Sequence, residues 1–329
     1  MRFGLLGAGR IGRIHGLNVA TRADTVLVAV ADASTEAAAS LAAATGAKVA
    51  TVDTILTDAA IDAILICTPT DTHADLIEAA VSAGKAVFCE KPVDLDAGRI
   101  RRCLKVVETS GKPLMIGFNR RFDPNFAALE ARLRAGEAGA VEIVSVISRD
   151  PSPPPVEYVA RSGGLFRDMM IHDFDMARFL LAEEPVEVFA LGSALVDKAI
   201  GEAGDVDTAA VLMKTASGKI AEISNSRRAS YGYDQRIEVH GSAGMLRAGN
   251  IHETTVESAT SKGFRADPVQ NFFLERYAAA YRLELDAFVT ACKGGKAPTR
   301  SSSPTLRPNP PAPASPSPSR WRRSDHVAL

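Results

Sequence analysis

Three groups of residues in this chain of 329 residues have types and spacings that could do chemistry. The first is Gly7-Ala8-Gly9-Arg10-Ile11-Gly12, which follows the apolar run Arg2 to Leu6 and opens a helical pattern from Ile11 to Ala20. Between strand and helix, the first glycine permits a tight turn, the second lets a pyrophosphate approach the backbone, and the third allows close strand–helix packing. Free N–H groups and the dipole at the helix start favour the phosphates. Asp32 lies 20 residues beyond Gly12, where a carboxylate can accept both ribose hydroxyls of an adenosine and would repel a 2′-phosphate. Ala33, Ser34 and Thr35 bring no arginine to offset that repulsion, so the spacing favours NAD over NADP. The plainer role for Asp32 is to cap a helix starting near Thr35.

The second group is Cys89-Glu90-Lys91-Pro92, at the carboxyl end of a strand-like run, where ligands bind in open α/β sheets. The third is the stretch from Gly163 to Asp175, in which Asp168 and His172 are four apart. If a helix has begun by Asp168, the two share a face, and the carboxylate can fix the tautomer and orientation of the imidazole for acid–base work. A helix cap beside a surface histidine is the bland alternative. His172, Asp173 and Asp175 do not read as metal ligands, because Asp173 projects about 100° from His172 and no second histidine cluster supports a site. No metal is expected.

The elements that must position these residues are legible in outline. Arg2 to Leu6, Thr25 to Ala31, Ala63 to Cys67, Ala86 to Cys89 and Pro113 to Phe118 read as strands, separated by amphipathic stretches such as Ala74 to Ala83 and Asp96 to Glu108. That alternation predicts an α/β domain over 1–118, a doubly wound Rossmann parallel sheet with helices on both faces. From residue 119 the pattern changes. A helix is expected over Pro124 to Arg134, then strands Val141 to Arg149, Val186 to Val196, Thr208 to Thr215, Lys219 to Arg227 and Gln235 to His240, interrupted by a helix over Met170 to Leu181. Residues 119–299 therefore read as an α+β domain on a largely antiparallel sheet, with one long helix from Val269 to Cys292. Residues 300–329 hold seven Pro, seven Ser and five Arg, no packed element is readable there, and the composition is what GC-rich codons yield out of frame.

Composition excludes several classes. The formal charge is −1, which supplies no positive field for nucleic acid or an anionic membrane. No apolar run approaches the roughly 18 to 20 residues needed to cross a bilayer, and strand-like sequence begins at Arg2, leaving no room for a signal peptide. A cytoplasmic protein is expected, with Cys67, Cys89, Cys103 and Cys292 as reduced thiols.

Taken together, the glycine turn, the Glu90-Lys91-Pro92 motif and the Gly163-Gly164…Asp168…His172 segment resemble the Gfo/Idh/MocA oxidoreductases over about residues 1–298. Ser148 to Tyr158 and Gly163 to Leu181 resemble most the inositol 2-dehydrogenases among them. The resemblance implies hydride transfer between NAD and a secondary ring hydroxyl of a cyclic polyol, myo-inositol giving 2-keto-inositol. It makes Lys91, Asp168 and His172 the catalytic group, with His172 the base, Asp168 its orienter and Lys91 polarising the same oxygen. It gives the cofactor to Gly7, Gly9, Arg10, Ile11, Gly12, Asp32, Thr68, Pro69 and Glu90, and the substrate to Arg121, Asp150, Tyr231 and Tyr233. It also makes residues 119–299 the substrate-binding and oligomerisation domain. A sugar dehydrogenase of the same family and a non-catalytic NAD-binding sensor are the alternatives. A homodimer or homotetramer is implied, since the open face of the antiparallel sheet needs a cover.

Overall fold

A computed structural model describes residues 1–294. The first sheet comprises β1 (Arg2–Leu6), β2 (Val26–Ala31), β3 (Lys48–Val49), β4 (Ala63–Ile66), β5 (Ala86–Glu90) and β6 (Leu114–Gly117). Every pairing is parallel and the order is β3-β2-β1-β4-β5-β6, the doubly wound Rossmann arrangement. Helices cover both faces, so β4, Ala-Ile-Leu-Ile, is buried throughout and carries no polar alternation. The ligand-facing edge is fixed by the order: β1 and β4 are neighbours whose crossovers diverge, opening a crevice at their carboxyl ends.

The chain leaves this body at Phe118 and builds a second sheet from β7 (Val141–Arg149), β8 (Pro185–Ser193), β9 (Thr208–Thr215), β10 (Ile220–Ser226), β11 (Asp234–Gly241) and β12 (Gly244–Ala248). Its order is β12-β11-β7-β10-β9-β8, antiparallel except for the parallel pair β7 and β10. Helices Pro124–Arg134 and Ile171–Leu181 pack on one face, and Phe126, Leu129, Met176 and Leu180 join Val144, Val146, Val211 and Met213 in one core. The alternating burial of β9 and β10 leaves the other face open. A small hairpin, β13 (Glu257–Thr260) with β14 (Gly263–Ala266), projects beside it.

The expected continuous helix from Val269 to Cys292 is broken. Val269 bridges His252, Gln270 O accepts from Tyr233 N at 3.0 Å, and helix forms only over Phe273–Arg276 and Ala278–Cys292. Pairing with Tyr233, Ile251 and His252, just outside the strands, outweighs the helical periodicity of the segment. From Tyr277 the chain returns to the first body, where Leu285, Phe288 and Val289 pack among Phe3, Leu5 and Phe88. The Phe288 ring lies 5.7 Å from that of Phe88 and 6.3 Å from that of Phe3. Two chain crossings therefore join the bodies, one at residues 118–119 and one at 277–278. All four cysteines are free thiols, and among the described residues no helix is long and apolar enough to cross a membrane. The tail 300–329 lies outside the described residues.

Candidate active site

The glycine turn sits at the end of β1. Gly7 has φ +94°, a left-handed conformation that a side chain would strain, and its N–H donates to Ala31 O at 2.8 Å. A Cβ on Gly12 would lie 1.8 Å from Gly7 O, whereas one on Gly9 would meet nothing within 4 Å. The turn is thus closed on its inner side and open where a pyrophosphate would lie, at the start of the helix Arg10–Thr21. Arg10 stacks over Phe272 at 5.6 Å and Ile11 packs against the second body's core, so the cradle touches both bodies.

Asp32 does not cap the following helix; Ser34 does, accepting from Ala37 N at 3.2 Å. Asp32 Oδ2 instead accepts from Ala8 N at 2.5 Å and Oδ1 from Ser34 N at 2.7 Å, which fixes a carboxylate beside the phosphate turn. Thr68 and Pro69 follow β4 and lead into a single tight turn, Thr70–Thr72. His73, buried, ties this loop to the one after β5, with Nε2 at 2.8 Å from Thr68 O and Nδ1 at 2.7 Å from Pro92 O. These groups meet the needs of a dinucleotide: a phosphate turn, a ribose acceptor, and a loop on the far side of the crevice.

Lys91 extends from the end of β5 and crosses to the second body, where Nζ lies 2.9 Å from Asp168 O and 3.3 Å from Asp168 Oδ1. Asp168 lies on a single wide turn, Leu165–Met169, closed by Met170 N donating to Leu165 O at 2.8 Å. The regular helix begins only at Ile171, so the expected hydrogen bond between Asp168 and His172 does not form. The extra residue in the turn separates the two into different elements. Tyr158 OH donates to Asp168 Oδ1 at 3.1 Å, and an Arg227 NH2 group lies 3.4 Å from Oδ2. His172 Nδ1 is buried without a hydrogen-bond partner among the described residues, and its ring stands edge-on to Phe118, centroids 6.2 Å apart. Burial, then the charges of Lys91 and Arg120, hold its imidazole well below the usual range, which leaves a neutral base at physiological pH.

Asp150, just past β7, is desolvated and pushed up to about 6, against the pull of Arg227 and Arg120. Arg121 is buried in a two-pronged pair with Asp175, at 2.5 and 2.6 Å, and stacks on Phe179 at 4.8 Å. Its neighbour Arg120 pairs with Asp173 and donates to Ser148 Oγ at 3.2 Å, on the side facing Asp150 and His172. Tyr231 sits on the rim, half exposed, donating to Asp234 Oδ2 at 2.6 Å, whereas Tyr233 is buried edge-on against Tyr277, centroids 6.0 Å apart. Glu90 reaches away from Lys91 to His15 Nε2 at 2.8 Å.

The family profile for the NAD-binding Rossmann fold matches residues 1–118, and the Gfo/Idh/MocA C-terminal domain profile matches residues 126–247. An inositol 2-dehydrogenase of Rhizobium meliloti is 59% identical over 295 residues, covering 90% of this chain and 89% of that protein. The chain belongs to the Gfo/Idh/MocA oxidoreductase family. A myo-inositol dehydrogenase from Corynebacterium glutamicum superposes with a TM-score of 0.85 at 47% identity, covering 89% of this chain and 88% of that one. A scyllo-inositol dehydrogenase from Lactobacillus casei, solved with NAD(H) and scyllo-inositol, gives 0.83 at 30% identity, covering 90% of each chain. As a Gfo/Idh/MocA protein with the NAD-binding domain of that family, the chain binds NAD.

Tyr158, Arg227, Arg120 and His73 are the site residues that sequence reasoning missed. His73 begins a helix four residues after Pro69, and its spacing from the loop could have flagged it. Arg227 is brought to Asp168 by tertiary packing alone, which no local pattern records.

Proposed function

We propose that this protein is an NAD-dependent inositol 2-dehydrogenase, oxidising one secondary ring hydroxyl of a cyclic polyol, with myo-inositol to 2-keto-inositol the leading reaction. The observation that carries the reading is the convergence of Lys91, Asp168 and a neutral His172 at the mouth of the dinucleotide crevice. Bound NAD supplies the two-electron acceptor for the carbinol carbon. The chain itself must take the hydroxyl proton and stabilise the oxygen that loses it. His172 is uncharged and can accept that proton. Lys91, held at Asp168 by its carbonyl and carboxylate, offers an ammonium to the developing alkoxide. Asp168 and Arg227 stabilise the lysine's position rather than the imidazole's. Asp150 and Arg120 flank the same space with hydrogen-bonding groups suited to a neutral ring bearing several hydroxyls.

A second copy of the chain is the proposed cover for the open sheet face. Phe189 and Leu191 of β8 are 60% and 62% exposed, and Leu212, opposite Phe189 on β9, is 50% exposed, an apolar strip too large to leave wet. The functional test is NADH formation at 340 nm with myo-inositol, scyllo-inositol and a panel of aldoses. Inositol-dependent reduction of NAD is expected; turnover of aldoses alone, or of no polyol, would overturn the assignment.

A further inference from the structure

Arg227, the first residue past β10, is a single buried cation set between two carboxylates of the site. Its side chain is 3% exposed, with one terminal nitrogen 3.4 Å from Asp168 Oδ2 and the other 3.7 Å from Asp150 Oδ2. Strand register dictates the pairing. β7 and β10 run parallel with Arg149 opposite Ser226, so Asp150 and Arg227 emerge side by side from the same ends, and Asp150 N donates to Ser226 O at 3.0 Å. The Arg227 backbone is anchored separately, its N–H donating to Asp207 O at 2.8 Å, while its Nε is buried without a partner among the described residues. A guanidinium used only as structural mortar would be saturated at short range; this one is placed by its backbone and shared loosely between two acids.

The two acids need it. Asp168 faces Lys91 from the end of β5, Tyr158 from the helix Val156–Ser162, and Arg227. Asp150 faces Arg227, Arg120 from the turn after β6, Asp168, and Asp173 from the helix Ile171–Leu181. Desolvation already lifts Asp150 with Arg227 in place, and taking away the cation beside a desolvated carboxyl lifts it further.

We propose that Arg227 is a positioning residue for the oxidation: set between Asp150 and Asp168, it holds the Asp168 side chain toward Lys91 and keeps Asp150 an acceptor for a ring hydroxyl. The inference rests on the polyol dehydrogenase reading and deepens it.

The test compares Arg227→Met, Arg227→Lys, Asp150→Asn and the double variant Asp150→Asn/Arg227→Met. In Arg227→Met the acid limb of the kcat/KM–pH profile should move up by about one unit, a loss of about tenfold at pH 5 that narrows to about twofold at pH 7. Asp150→Asn in that background should return the limb toward its wild-type position, and Arg227→Lys, which keeps the charge, should hold it there. A second readout needs no turnover: the thermal midpoint of the NAD-free protein against pH. A carboxyl raised in the folded state contributes stability at low pH that is lost as pH rises through its folded value. Arg227→Met should therefore lose more of its midpoint than wild type between pH 5 and 8, and the added Asp150→Asn should cancel the difference. An unmoved limb and slope, or a loss uniform in pH that Asp150→Asn does not recover, overturns the proposal. Should Arg227→Met fail to fold, Arg227→Gln takes its place: it keeps a polar side chain but drops the charge, so its limb should move up as well, and a limb left at the wild-type position overturns the proposal. Wild-type protein inactive on every polyol would defeat the functional reading, while the thermal comparison would still decide the role of Arg227.

Discussion

Asp168 gathers Lys91, Tyr158 and Arg227, and leaves His172 without a carboxylate partner among the described residues. This divides labour at the residue scale: the acid positions the cation, and desolvation keeps the base neutral. His172→Asn should lower kcat by about 10²- to 10⁴-fold while NADH binding, followed by fluorescence, stays within about twofold of wild type; a folded variant with normal turnover would exclude His172 as the base. Because its folded value is depressed, the neutral ring contributes stability above the ordinary histidine range, about 6.5, and that contribution is lost as pH falls toward the folded value. The variant should accordingly lose less of its thermal midpoint than wild type on acidification below pH 6. As the proposed catalytic group, Lys91, Asp168 and His172 can be picked out in the sequence because motif and spacing single them out. The relation between the last two cannot be read there, because periodicity assumes a regular helix, and the wide turn at Leu165–Met169 violates that assumption.

At the scale of elements, the phosphate turn is the best specified by sequence, since the Gly12 position tolerates no Cβ and Gly7 needs its left-handed backbone. Gly12→Ala must displace the Gly7 carbonyl, so dinucleotide affinity should fall at least tenfold by calorimetry, with the far-ultraviolet dichroism of the fold retained. Affinity equal to wild type would mean that the turn is not the cradle. The strands β7, β9 and β10 are readable from alternation, whereas the two-residue β3 is too short to show a period. The broken helix after Val269 is invisible in the text, because the pairing that straightens it involves His252 and Tyr233, both far along the chain. Domain class follows from the order of patterns; the return of Ala278–Cys292 to the first body does not.

For the whole molecule, two predictions concern burial. The double change Phe189→Lys/Leu191→Lys should reduce the mass measured by light scattering to that of one chain, and an unchanged assembly would place the interface elsewhere. Between the bodies, Glu284 of the returning helix is fully buried beside His15 and Glu90, with neither carboxylate oxygen hydrogen-bonded among the described residues. Burial first, then the Glu90 charge, raises its carboxyl well above the usual range, so stability present below about pH 4.3 is lost as pH rises. Glu284→Gln should therefore be more thermostable than wild type by a margin that grows from pH 5 to pH 9; a constant margin would show that Glu284 does not titrate there. Lys91 is carried by the first body and Asp168 by the second, so the contact of the ammonium with the Asp168 carbonyl at 2.9 Å is a stitch across the seam. The proposed catalytic group is therefore a property of the fit between two sheets and belongs to neither alone.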